Sequence, residues 1–301
     1  MKILILGNGF DLDLGLKTKY SNFAISPEWK GLYESFKCTS DDNLAGFLKK
    51  KAEEDNWFAI EDCLKQYAQM KIKENDFEHV NEDESFFELL KEHLETYLTL
   101  VSQDGNEKGH LATKLLDWMN EEPIFDKIYS FNYISHDALH KWCGCDYERD
   151  VCYVHQKLYC GIVLGVAERD ITDDRYSFLR KVSHPSYPPS NLCMDLMKAN
   201  EVVIYGHSLN NIDFDYFKDY FNVCSKYDDK RINPRQITVI SRDDKSVQDI
   251  KNNLISNGIV LTALNQYSQL TFIALDNYYK GESAEVTKVK DLMNRLGIAP
   301  E

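Results

Sequence analysis

Six short apolar runs along the chain end at glycines or small polar residues, and they restrict the fold more than any other feature. Ile3 to Leu6 is the first. Its four apolar residues lead straight into Gly7-Asn8-Gly9-Phe10-Asp11, as a strand buried on both faces of a parallel sheet would. Ile128–Phe131, Gly161–Val166, Glu201–Tyr205, Gln236–Ile240 and Ile259–Leu264 have the same character and read as core strands. Helical patterns follow several of them: DALHKW, FDYFKDYF and DKSVQDIKNNLISNG. The alternation predicts an α/β fold, a parallel Rossmann-like sheet with flanking helices.

Between the first two strands the period changes. Trp57, Ile60, Leu64 and Tyr67 recur at helical spacing, as do Phe86, Leu90, Leu94, Tyr97, Leu98 and Val101, and then Leu111, Leu115, Leu116 and Met119. These stripes predict a helical insertion after the first strand, with Gln103 to Gly109 as a polar break and Glu121-Glu122-Pro123 closing the block. The expected organisation is a core of 1–25 and 123–280, an insertion of 26–122 and a helical tail of 281–301. The polar, proline-bearing stretch from Ala167 to Leu192 is expected to be a long connection at the rim.

Composition narrows the function. Of the 301 residues 43% are hydrophobic, enough for a sizeable core, and the formal net charge of −14 disfavours tracking along nucleic acid or an anionic membrane. Four apolar residues before the first glycine are too few for a signal peptide, and no stretch approaches a membrane span. The eight cysteines, at 38, 63, 143, 145, 152, 160, 193 and 224, lack a secreted spacing and read as thiols of a soluble, cytoplasmic protein. Cys143-Gly144-Cys145 with Cys152 and Cys160 does not form paired C-x₂-C, so no metal is expected.

In an open parallel sheet, ligands bind beyond the carboxyl ends of the strands. There stand Gly7, Asn8, Gly9, Phe10 and Asp11; Asn132 and Tyr133; His155; and Gly206, His207 and Ser208, with Asp213 a little further on. Each group has two readings. The first loop is a G-x-G without the third glycine of a dinucleotide fingerprint, Leu12 standing there, so it is a positive-φ turn or a nucleotide loop. Its aspartates would repel a pyrophosphate but suit ribose hydroxyls or a helix cap. Asn132 either caps the next helix or holds a sugar and a water. His155 is one of eight histidines, and its place near a strand end makes it a candidate general base. Gly206 to Asp213 is a ligand loop or a capped helix start. Glu61, four residues after Trp57, borders the helical stripe and faces either the crevice or solvent.

Taken in order, LILGNGFDLDLGLKTKYSNF (4–23), WFAIE (57–61), YSFNY (129–133), YVHQ (153–156), IVLGV (162–166) and YGHSLNNIDFDYF (205–217) resemble the motifs of the bacteriophage abortive-infection AbiH family. That family is in turn distantly similar to the sirtuin-like α/β fold. The resemblance implies NAD or a related nucleotide as ligand or substrate and no required cofactor. It places Gly7, Gly9 and Asp11 at the nucleotide, Asn132 and His155 as the catalytic pair at the nicotinamide ribose, and Gly206, Ser208 and Asp213 around the remaining ribose or phosphate. Glu61 and Tyr133 would border that site. The family has His-Gly where this chain has His155-Gln156, so a bulky amide stands where glycine would let a ligand or backbone pass. Two functions follow: an antiphage enzyme hydrolysing an N-glycosidic bond, or a non-catalytic nucleotide-binding module that docks a phage trigger, a partner protein or a second copy of itself.

Overall fold

The computed structural model describes residues 1–37, 40–54, 59–103, 110–134, 151–227 and 233–298. Six parallel strands form one sheet in the order β3-β2-β1-β4-β5-β6: β1 Lys2–Leu6, β2 Lys127–Ser130, β3 Val151–Tyr153, β4 Glu201–Tyr205, β5 Arg235–Ser241 and β6 Ser268–Ala274. This is the doubly wound, Rossmann-like arrangement, in which strand order reverses beside β1. Alternation along each strand serves two buried faces. Ile3, Ile5, Val202, Ile204, Ile237 and Val239 pack on one side with helices α8 (Leu192–Lys198), α9 (Lys218–Cys224) and α10 (Asp244–Ser256). Leu4, Leu6, Ile128, Val203, Tyr205 and Ile240 pack on the other with α1 (Asn8–Asp13), α7 (Leu111–Glu121) and the C-terminal α13 (Ser283–Leu296).

The chain between β1 and β2 is helical, as its period predicts. It runs through α2 (Tyr20–Phe23), α3 (Pro27–Ser35), α4 (Leu44–Glu54), α5 (Ile60–Glu74) and α6 (Val80–Val101) before α7. Local signals set the ends. Ser26 caps α3 by accepting from the Trp29 amide at 3.2 Å ahead of Pro27, and Asn75, at φ 53°, ends α5 in the left-handed conformation. Buried Asp83 on α6 ties the block together: it accepts from the Leu44 amide at 2.7 Å and from the hydroxyls of Tyr67 at 2.7 Å and Tyr176 at 3.2 Å. Trp57, the first residue of one predicted stripe, lies outside the described residues, as do DALHKW, Cys143, Cys145 and most of the polar break after Gln103.

Two predicted strands are something else. Gly161–Val166 is buried but irregular, with Gly161 at φ 79° and Gly165 at φ 147° breaking the extended run. Its Val166 amide donates to Leu179 O at 2.9 Å, and the Lys181 amide donates back to Val166 O at 3.0 Å. Leu261–Tyr267 is helix α11, not strand, and the sheet is completed instead by Ser268–Ala274, a half-exposed edge whose mixed pattern hides it. The third strand is Val151–Tyr153, directly before His155. Among the described residues no helix is long and apolar enough to cross a membrane.

Candidate active site at the carboxyl edge of the sheet

Beside β1 the two glycine loops interlock. The Gly7 amide donates to Tyr205 O at 2.9 Å and the Gly9 amide to Gly206 O at 2.9 Å. A Cβ on Gly9 would lie 2.6 Å from Gly206 Cα, one on Gly7 2.5 Å from His207 Cα, and one on Gly206 2.5 Å from Gly9 Cα. Gly206 also sits at φ 69°. These glycines let one backbone approach another, and the amides of Gly7 and Gly9 are already bonded. Phe10 points into the core, edge-on to Tyr205 at 5.2 Å. Asn8 is exposed and accepts from the Thr18 hydroxyl.

The interlock leads to the first functional group. Asn132, just past β2, turns its Nδ2 back to donate to Gly7 O at 3.0 Å and to Asp11 Oδ1 at 2.8 Å. Because a backbone carbonyl can only accept, these bonds fix the amide's orientation, and no described donor reaches its Oδ1. Asp11 lies inside α1 and does not cap it, while the stretch that Asn132 would cap lies outside the described residues. Burial pushes the Asp11 carboxyl from 3.8 to about 8, against the pull of the Asn132 bond, so it is neutral at pH 7.

That shift has a measurable consequence. The folded state holds the Asp11 proton more tightly than the unfolded chain, so stability from this group falls as pH rises from about 4 to about 8. Asp11→Asn keeps an acceptor for Asn132 and cannot ionise. The variant is expected to gain on the wild type by about 4 kcal/mol between pH 5 and pH 9, read from denaturant melts at the two values.

The second group is an ion cluster drawn from four parts of the chain. His155 follows β3, Asp213 lies on the loop after β4, Glu61 opens α5, and Lys181 stands in a short turn, Lys181–Ser183, of the long connection. Lys181 Nζ donates to Asp213 Oδ1 at 2.9 Å and lies 3.2 Å from His155 Nε2. It is ion-paired with Glu61 Oε1 at 3.0 Å, off the line of a hydrogen bond. Asp213 Oδ1 is 3.1 Å from the same His155 nitrogen. Asp213 makes no cap bond to the helical turn it precedes. His155, Lys181 and Asp213 are 3%, 5% and 7% exposed, so water screens these charges little.

The environment sets the protonation states. Burial opposes ionisation of Asp213, but Lys181 and His155 outweigh it and hold the carboxyl well below its ordinary range. Burial likewise works against the Lys181 ammonium, yet Asp213 and Glu61 hold its pKa up. Glu61 is pushed up by burial, with Lys181 partly offsetting. His207 is lowered to about 4 by burial and is neutral; its Nδ1 accepts from the Leu209 amide at 3.0 Å. Phe131 packs edge-on to both rings, 5.3 Å from His155 and 4.4 Å from His207.

Of the residues expected at the site, Asn132, Asp11, His155, His207, Asp213 and Glu61 lie in these two clusters, and the Tyr133 ring is 6.5 Å from His155, its hydroxyl donating to Val163 O at 3.2 Å. Ser208 is exposed and apart; its carbonyl accepts from Asn253 Nδ2 at 3.0 Å. The residue that the sequence reading missed is Lys181, which no local pattern distinguishes from a solvated lysine.

Residues 3–233 match the family model described as bacteriophage abortive infection AbiH. The chain belongs to that family. Neither a curated protein nor a solved structure matches it. In this AbiH protein both clusters lie within the matched span.

The resemblance implies a glycine where this chain has Gln156, and the backbone there is one that favours glycine. Gln156 sits at φ 63°, a left-handed conformation in which glycine is unstrained. Gln156→Gly is therefore expected to change stability by less than about 1 kcal/mol, strain relief offsetting the freer unfolded chain. The β-branched Gln156→Val is expected to cost about 2 kcal/mol. Thermal melts of the two variants check the contrast.

Proposed function

We propose that this AbiH protein binds NAD or a related nucleotide beyond the ends of β1 to β4 and hydrolyses its N-glycosidic bond, acting in abortive infection by depleting that nucleotide. The observation that carries the reading is Asn132: two bonds lock its Nδ2 inward and leave Oδ1 as an oriented acceptor, at the same end of the sheet as a histidine–carboxylate pair. An acceptor fixed in this way can align a water or a ribose hydroxyl.

In the reaction the bond from the base nitrogen to the ribose carbon breaks with its electrons going to the base. Water oxygen bonds the carbon as oxocarbenium character develops, and the water's proton passes to His155. The buried Asp213 carboxylate stabilises the imidazolium. A pyridinium leaving group departs neutral and needs no proton, which favours nicotinamide nucleotides over purine nucleosides. With the Gly7 and Gly9 amides bonded elsewhere, ligand contacts fall to side chains.

The test is incubation of the purified protein with a nucleotide mixture, with and without the phage trigger, followed by mass spectrometry. Free base and the matching ribosyl product are expected. Intact nucleotides in the triggered sample, with Asn132→Ala still protecting cells, would exclude the reaction. A second reading, binding without turnover, is favoured by the burial of His155, Lys181 and Asp213. Calorimetry followed by recovery of an unchanged nucleotide would support it.

A further inference from the structure

Lys181 touches His155 and both carboxylates at once. An ammonium has three protons and no lone pair. That suits Asp213 and Glu61, but at 3.2 Å from His155 Nε2 it requires the ring nitrogen to accept. Asp213 Oδ1, 3.1 Å from that nitrogen, has only lone pairs and bonds it when Nε2 carries a proton. The two partners ask for opposite states of one atom. In a neutral imidazole, a proton on one nitrogen leaves the other with its lone pair. No described residue bonds His155 Nδ1, so the state of Nε2 decides what Nδ1 offers.

We propose that Lys181 is a positioning residue that competes with Asp213 for His155 Nε2 and so sets which ring nitrogen holds the proton. Glu61, on α5 of the helical insertion, is the counter-anchor that draws Lys181 off the ring. With Lys181 on Nε2, the proton sits on Nδ1, which can only donate. With Lys181 turned to Glu61 and Asp213, Nε2–H bonds Asp213 and Nδ1 becomes a base. The other groups facing the ring do not compete: Phe131 is apolar, His207 is neutral, and the Tyr133 hydroxyl is engaged by Val163 O.

This inference rests on the same site as the proposed hydrolysis, but its test needs no turnover. The His155 ring would be followed by ¹⁵N and ¹H NMR in the full chain, with His155→Gln for assignment. Lys181→Met removes the neighbouring cation, and Nε2–H is expected to be favoured in the neutral ring, bonded to Asp213. Glu61→Gln leaves the cation without its second anion, and Nδ1–H is expected to be favoured. Lys181→Arg, which keeps the charge, is expected to stay close to wild type. Folded Lys181→Met and Glu61→Gln proteins that leave the tautomer unchanged, or move it in the same direction, would overturn the proposal. If Lys181→Met does not fold, the direction in Glu61→Gln decides alone. Absence of nucleotide hydrolysis with the opposed shifts present would sink the proposed reaction and leave this inference standing.

Discussion

Gly206→Ala is expected to destabilise the protein by about 4 kcal/mol or more, measured by urea unfolding, and to leave little folded protein at 37 °C. Two effects combine. The residue sits at φ 69°, where any Cβ is strained, and that Cβ would lie 2.5 Å from Gly9 Cα and against the Phe10 amide. Both neighbours are backbone atoms of the first turn of helix α1 and cannot swing aside as a side-chain tip would. Gly258 provides the control, since it has φ 83° but nothing within 4 Å of an added Cβ. Gly258→Ala is expected to cost only about 1 kcal/mol, the conformational part alone. Equal losses in the two variants would mean that the loops do not interlock as described.

The second large effect is on chemistry. Asn132→Ala is expected to lower nucleotide hydrolysis by about 10²- to 10⁴-fold, the range for removing an oriented hydrogen-bonding group from a transition state. It also removes the donor to Gly7 O and Asp11, so a stability loss of about 2 kcal/mol is expected with it. Rates are therefore compared at a temperature where a melt finds both proteins folded. Activity within threefold of wild type under those conditions would remove Asn132 from the mechanism.

Much of this architecture is legible from local sequence. Four strands announce themselves through apolar runs, and the insertion through its period, because burial on both faces or on one stripe leaves a mark within a few residues. The failures are equally physical. GIVLGV has the composition of a core strand but carries Gly161 and Gly165 at positive φ, so it is buried without being extended. Leu261 to Tyr267 lies in an apolar run that could be strand or helix, and tertiary packing chose helix. At the site, His155, Asn132 and Asp213 follow strands or sit in strand-end loops and can be found there. Lys181 cannot, since its partners are at positions 61, 155 and 213 and only the folded chain brings a lysine from a polar connection into their midst. The AbiH motifs marked Glu61, one of those partners, while leaving the cation that unites them unmarked.

The family match ends at residue 233, two residues before β5 begins. That limit is a boundary of recognisable sequence and not of the folding unit. β5 covers the hydrogen-bonding edge of β4 along its whole length, from Glu201 to Tyr205, and Ile240 O accepts the Gly206 amide at 2.8 Å. The segment beyond 233 holds neither cluster of the site, yet it seals an apolar edge strand that would otherwise be open to pairing with another chain. The smallest fragment worth isolating for study thus extends well past the end of the match.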